Sequence, residues 1–337
     1  MNRLDAARLG GPSFFAMPDT GHTARRATSA ALRWLASRTP SGEVPCLVAE
    51  HPSLEGAVPD SNYFAAAQAL WSLAAVEGAA PVVRRLIRFV ESGALHTGAW
   101  RFWTPKTYRP LDPDTDMTAC AAAAIRAVGV SVPATTTEML LAARSSERFV
   151  TWVRGPDAPN DVCAVVNANV VWYLGQRAET AATLEWLLSL VMQPEASLPL
   201  GYYDTPLFLH HAVSRAYADG VTRLGAARAE MLSVVGALRH SGGAYGNPLE
   251  TALALCTLAN LGERDPDTAE WLLGAQRADA SWPEAAFWNG PEQPAPRSLW
   301  WGSAELTTAV VLEALRPYLA VTAPRSRDRS RGRHAAR

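Results

Sequence analysis

DTDMTACAAAAIRAVGV, residues Asp114–Val130, sets two aspartates in its first three positions and then runs into an alanine-rich stretch whose one charge is Arg126. Alanine is the strongest helix former, and a helix that is apolar on every side must be surrounded by other protein. The stretch therefore reads as a buried helix with carboxylates at its mouth. Five further runs have the same character: DSNYFAAAQALWSLAAVEG from Asp60, NDVCAVVNANVVWYLG from Asn160, DTPLFLHHAVSRAYADG from Asp204, NPLETALALCTLANLG from Asn247 and GSAELTTAVVLEALRPYL from Gly302. Their starts recur every 43 to 55 residues or so, the spacing at which a repeat means a helix pair stacking on its neighbours.

Between these runs lie segments of a different kind, such as ARRATSAALRWLASR, PVVRRLIRFVES, AATLEWLLSLVMQ, TRLGAARAEMLSVVGALR and PDTAEWLLGAQ. Arginine and glutamate recur in them at helical spacing beside leucine and valine, which gives one wet face and one buried face. Inner helices alternating with outer ones predict an all-α fold, an (α/α)6 toroid in which the last pair meets the first. An open solenoid is the alternative, and it would want polar capping repeats at its ends. No strand pattern competes. The expected organisation is an N-terminal extension over 1–21, a barrel domain over 22–322 and a disordered arginine-rich tail over 323–337, which has too few large apolar groups to order itself.

The 337 residues are 48% hydrophobic and 19% charged, with a net charge of -1. Such a balance offers no surface for nucleic acid and favours a small, mostly apolar ligand. No segment has the uninterrupted apolar span of a transmembrane helix or a signal peptide. Cys46, Cys120, Cys163 and Cys256 show no paired spacing, which suits a reducing cytoplasm.

Asp60, Asp114, Asn160, Asp204 and Asn247 have a sufficient structural explanation as N-caps, because their oxygens accept the orphan N–H groups of a first turn. That explanation does not reach Asp116, two residues inside its helix. Among other polar residues at the same end, Asn62, Asn167, Asn169, Glu250 and Glu305, the two asparagines Asn167 and Asn169 cannot share a face. Glu250 and Glu305 suit the helix dipole.

Asp114-Thr115-Asp116-Met117-Thr118-Ala119 resembles the Asp-x-Asp-Asp-Thr-Ala motif of the terpenoid cyclase and protein prenyltransferase superfamily, nearest to the squalene-hopene and class II diterpene cyclase branch. Met117 stands where that motif has its third aspartate; the oxidosqualene cyclases, with Asp-Cys-Thr-Ala, keep only the middle one. Gln276–Trp282 is similar to the Gln-x3-Gly-x-Trp segments of the family with Ala280 for glycine, and GALHTGAW ending at Trp100 and RHSGGAYG around Tyr245 are weaker copies. Such segments are expected to stabilise the barrel by stacking the amide on the indole.

The resemblance implies a proton-initiated isoprenoid cyclase or isomerase with Asp116 as general acid and Asp114 helping to hold its proton. A carboxyl in an apolar cavity beside other carboxylates stays protonated, because burial and like charge both disfavour ionisation. Asp112, Asp114 and Asp116 are spaced to supply that coupling. The carbocation then needs aromatic faces, and Trp100, Phe102, Trp103, Tyr108, Trp172, Tyr203, Phe208 and Trp301 are the expected substrate wall. Lys106 and Arg109 would meet a diphosphate. No metal site or cofactor is expected, with Mg2+ entering only if the substrate is a diphosphate. A homodimer or a second helical-barrel chain would close the cavity against water. Two other readings stand beside this one. The barrel is a noncatalytic or partner-dependent scaffold, or it is a zinc-dependent prenyltransferase relative using Asp161, Cys163 and one of His210 and His211.

Overall fold

The computed structural model describes residues 20–107, 111–155, 157–193, 197–290 and 299–319. The alanine-rich runs form helices α2 (Phe64–Leu73), α4 (Thr115–Ala127), α6 (Ala164–Leu174), α8 (Pro206–Ala218), α10 (Pro248–Asn260) and α12 (Ala304–Leu315). The amphipathic segments form α1 (Thr20–Arg38), α3 (Ala80–Glu91), α5 (Ala134–Ala142), α7 (Ala181–Leu190), α9 (Arg228–Ala237) and α11 (Pro266–Gly274). Burial separates the two sets as the patterning requires. In α4 every residue from Thr115 to Ile125 is buried, whereas in α3 only Val82, Leu86 and Val90 are, one stripe at a spacing of four.

The inner helices touch in a cycle: α2 packs on α4, α4 on α6, α6 on α8, α8 on α10, α10 on α12, and α12 returns to α2. Each outer helix backs the inner one that precedes it, as α3 backs α2 and α11 backs α10, while α1 lies against α12 and joins the two ends of the chain. The small alanine side chains of α2 and α4 let neighbouring axes approach closely at the centre. The N-terminal ends of α2, α4 and α6 and the segments leading into α8 and α12 come together at one end, where the connecting loops carry aromatic residues.

Strands do occur, against the expectation from sequence. β1 (Cys46–Ala49), β2 (Val58–Asp60), β5 (Ala286–Gly290) and β6 (Leu299–Gly302) form an antiparallel sheet in the order β2-β1-β6-β5. β3 (Arg144–Ser145) and β4 (Arg148–Phe149) make a separate hairpin. These strands span two to five residues, too few for alternation to show in the sequence. The sheet pairs the loop after α1 with the loop before α12. Gly302 sits where a Cβ would come within 1.9 Å of Ala285 O, so only glycine lets the two strands meet.

The caps also divide. Asp114 Oδ1 accepts from Met117 N at 2.6 Å, and Asn247 forms a capping box with Glu250, both as the sequence predicts. Asp60, Asn160 and Asp204 are not caps. Asp60 lies in β2 and accepts from Asn62 Nδ2, and Asn62 instead caps α2 by accepting from Ala65 N at 2.9 Å. Asn160 Oδ1 accepts from Trp152 N, and Thr205, not Asp204, caps α8. The sixth run is capped by Ser303, Gly302 being the end of β6. Where the expected cap is displaced, the helix begins two to four residues after the start of the polar cluster, because those clusters serve the loops that build the mouth.

The Gly-x-Trp resemblances fold into one repeated turn. Trp282 N donates to Thr308 Oγ1 and its Nε1 to Leu272 O; Trp100 N donates to Thr118 Oγ1 and its Nε1 to Val90 O. Tyr245 N likewise donates to Thr251 Oγ1. Each turn needs a positive φ, taken by Gly98 at 87°, Gly243 at 93° and, in the glycine-replaced copy, Ala280 at 75°. The Gln276 amide donates to Ala27 O and Ala280 O, so it tethers the α11 turn to α1 through backbone carbonyls. The arginine-rich tail, 323–337, lies outside the described residues, as do residues 1–19 of the expected N-terminal extension, and α1 begins at Thr20.

Candidate active site

A cleft of about 690 Å³, counting its open mouth, occupies the N-terminal end of the inner helices. Its walls are Phe64 of α2, Phe102 and Trp103 before α4, Trp152 and Tyr202 from the next two loops, and Trp288 and Trp301 of the sheet, with Asp114 and Asp116 at its base. The rings hold one another in place. Phe64 meets Trp288 edge-on at 4.9 Å and Phe102 at 6.0 Å, and Trp288 stacks on Trp301 with 2° between planes. The sheet is what delivers Trp288 and Trp301, since neighbouring strands bring Trp288 opposite Trp301 in register. Two buried polar atoms of wall residues, Asn289 Oδ1 and Trp301 Nε1, have no hydrogen-bond partner.

Asp116 lies in the first turn of α4 and is buried. Its Oδ2 is 2.6 Å from Tyr203 OH, its Oδ1 accepts from Asn169 Nδ2 at 2.7 Å, and Cys120 Sγ lies 3.8 Å from Oδ1. Asn169 has no choice of orientation, because Arg215 Nη2 donates to its Oδ1 at 2.6 Å, which turns its NH2 toward Asp116. Arg215 is itself buried and lies 3.9 Å from the Trp172 ring centroid. Burial raises the Asp116 carboxyl above the ordinary range, against the opposing pull of Tyr203, Asn169 and the Arg215 charge. Asp114 is pushed up to about 8 by burial and then by the charge of Asp116. At neutral pH the pair therefore holds at least one proton.

The residues expected from sequence scatter in instructive ways. Phe102, Trp103, Tyr203, Trp301, Asp114 and Asp116 all line the cleft. Asp112 does not join the carboxyl pair: it is half-exposed and accepts from Arg154 Nε at 2.7 Å. Trp100 is the staple of its turn and not a wall, since the indole N–H is spent on Val90 O. Trp172 points to the far end of α6 and donates to Asp219, and Phe208 packs behind Tyr203 with centroids 5.1 Å apart. Lys106 is ion-paired with Glu43. Tyr108 and Arg109 lie outside the described residues.

The zinc trio of the prenyltransferase reading is not assembled. Tyr202 OH donates to Asp161 at 2.6 Å, Cys163 Sγ donates to Leu200 O, and among the described residues neither histidine joins them. Asn167 clamps the Phe149 backbone through N and O, leaving the axis to Asn169. Arg215 was missed. A lone arginine inside the apolar run LFLHHAVSRAY was the signal, because a buried guanidinium requires partners.

No family model matches the chain, and no curated protein matches it in sequence. Solved structures do match in shape. A protein from Actinoplanes superposes with a TM-score of 0.70 at 19% identity, covering 88% of this chain and 100% of its own. The type II terpene cyclase MstE from Scytonema, as a variant in complex with merosterolic acid A (product), gives 0.70 at 16% identity, covering 90% of this chain and 100% of that one. An ent-copalyl diphosphate synthase from Streptomyces platensis gives 0.60 at 20% identity over 77% of this chain and 50% of its own. The molecule thus belongs to a class of all-α folds that set an apolar cleft at one end of their inner helices. More narrowly, its fold is that of the terpenoid cyclases.

Proposed function

We propose that the chain is a proton-initiated isoprenoid cyclase or isomerase, built as a closed (α/α)6 toroid, with Asp116 as the general acid. The cyclic packing of α2 through α12 supports the toroid. The observation that carries the reaction is the setting of Asp116, a buried carboxyl with raised proton affinity at the base of an aromatic cleft.

The chemistry follows from that setting. The terminal alkene of a prenyl chain, or its epoxide, takes the Asp116 proton. A new C–H or O–H bond forms and positive charge develops on the tertiary carbon. Asn169 and Tyr203 fix the carboxyl by one oxygen each, so its proton is aimed by geometry and not by chance. The faces of Phe64, Phe102, Trp288 and Trp301 attract the cation without attacking it. An internal double bond then donates its pair to close the ring, and loss of a neighbouring proton restores an alkene, so the product is an isomer of the substrate. The unpartnered Asn289 Oδ1 and Trp301 Nε1 suit a polar group on the substrate, offering it one acceptor and one donor. The protonation step draws on no metal; Mg2+ would serve only to accompany a diphosphate.

Coverage of the whole MstE chain by this one supports the view that a single barrel suffices. Incubation with prenyl diphosphates, prenyl alcohols and squalene in D2O should yield a cyclic product carrying one solvent deuterium, and Asp116→Asn should abolish it. Product persisting in the variant would exonerate Asp116. The absence of product from every substrate would favour a scaffold.

A further inference from the structure

Below the Asp116 cleft, three successive inner helices converge on a second group of side chains. His211 of α8, Cys256 of α10 and Glu313 of α12 bring an imidazole nitrogen, a thiol sulfur and a carboxylate oxygen within 4.8 Å of one another. None of the three lines the Asp116 cleft. We propose that they form a mononuclear site for a divalent transition metal, zinc being the best match.

The donor set is the first reason. One nitrogen, one sulfur and one oxygen suit a borderline-soft ion, and three protein ligands leave a fourth position open. The second is an orphaned atom. His211 is 6% exposed, and its Nε2 has no hydrogen-bond partner. It lies 3.9 Å from Glu313 Oε1, too far for a hydrogen bond and about 0.5 Å wider than two ligands of one tetrahedral ion, so a small inward shift of the two side chains lets them share it. The third reason is the support around the carboxylate. Trp71 Nε1 donates to Glu313 Oε1 at 3.0 Å and Ser72 Oγ to Oε2 at 2.7 Å, which fixes the group while each oxygen keeps a lone pair.

An access route exists. A cleft of about 810 Å³ opens at the C-terminal end of the inner helices and reaches Glu313 past Trp71, Asn260 and Arg316. Arg215, held by Asn169 and Trp172, places positive charge nearby. That charge favours the anionic ligand pair of carboxylate and thiolate over two neutral donors. As the sulfur–metal bond forms, the thiol proton leaves to solvent.

Cobalt is the probe. The full chain, stripped by a chelator and titrated with Co2+, should bind one equivalent and develop a thiolate-to-cobalt charge-transfer band that Zn2+ then removes. Cys256→Ser should lose the band, His211→Gln should weaken binding by at least about 10-fold, and Cys46→Ser, whose thiol is elsewhere, should keep both. Circular dichroism establishes that each variant is folded, and should one fail to fold, the other decides. Wild-type chain without stoichiometric uptake, or a band that survives in folded Cys256→Ser, would overturn the site. The readout needs no substrate, so its outcome is independent of the cyclase reading.

Discussion

Asp116 and Glu313 are carboxyls on inner helices, one buried in the first turn of α4 and the other part-buried in the last turn of α12, and their proton affinities shift in opposite directions. At Asp116 burial dominates and the proton affinity rises, although Tyr203, Asn169 and the Arg215 charge all pull the other way. At Glu313, His211, Ser72 and Arg215 outweigh burial and bring the carboxyl down to about 2. Arg215 stands between them, one amide away from Asp116. Burial alone does not set the charge of a carboxyl; what faces it does. One end of the molecule is arranged to keep a proton and the other to keep a charge.

The largest effect should come from the proton-keeping end. Asp116→Asn should reduce cyclisation by at least about 100-fold with little loss of thermal stability, because the amide has the size of the acid and can still meet Asn169 and Tyr203; a large fall in Tm would break the contrast. Removing the charge at the other end should do the reverse. Glu313→Ala strips Trp71 Nε1 and Ser72 Oγ of their acceptor and should cost about 1–3 kcal/mol in a denaturant titration.

The pH dependence sharpens the same comparison. Glu313 is depressed from 4.5 to about 2, so its stabilisation is present above pH 4.5 and is lost as pH falls toward 2. Asp114 is raised from 3.8 to about 8, so its contribution is full below pH 3.8 and is lost as pH rises through 8. Melting curves should show both limbs. Asp114→Asn, which keeps the cap, should flatten the alkaline one and leave the acid one unchanged. The smallest effect is structural: Ala280→Gly relieves a positive φ of 75° and should stabilise by about 1 kcal/mol, without altering activity.

The two kinds of helix were legible because their signal is long. A fully apolar inner helix and a striped outer one differ over ten or more residues, and α4 and α3 show that difference in burial. Asp116 stood out as a candidate because it lies two residues past the cap, inside the first turn of α4. The sheet was not, since its strands are shorter than one clear alternation, and with it went the reason why Trp288 and Trp301 face each other. The aromatic residues could be counted but not sorted. Trp100 and Trp103 are three residues apart, and only the turn geometry sends one to Val90 O and the other to the cleft. Asp116, Asn169 and Arg215 meet across three helices, a convergence that spacing along one chain cannot reveal.

An infrared difference spectrum between wild type and Asp116→Asn at neutral pH tests the central claim most directly. The wild type should carry the C=O band of a protonated carboxyl that vanishes in the variant, and the corresponding Glu313→Gln difference should show only carboxylate bands. Loss of carboxylate bands alone on replacing Asp116 would mean that the cleft holds a charged aspartate, and the proposed proton donor would not exist.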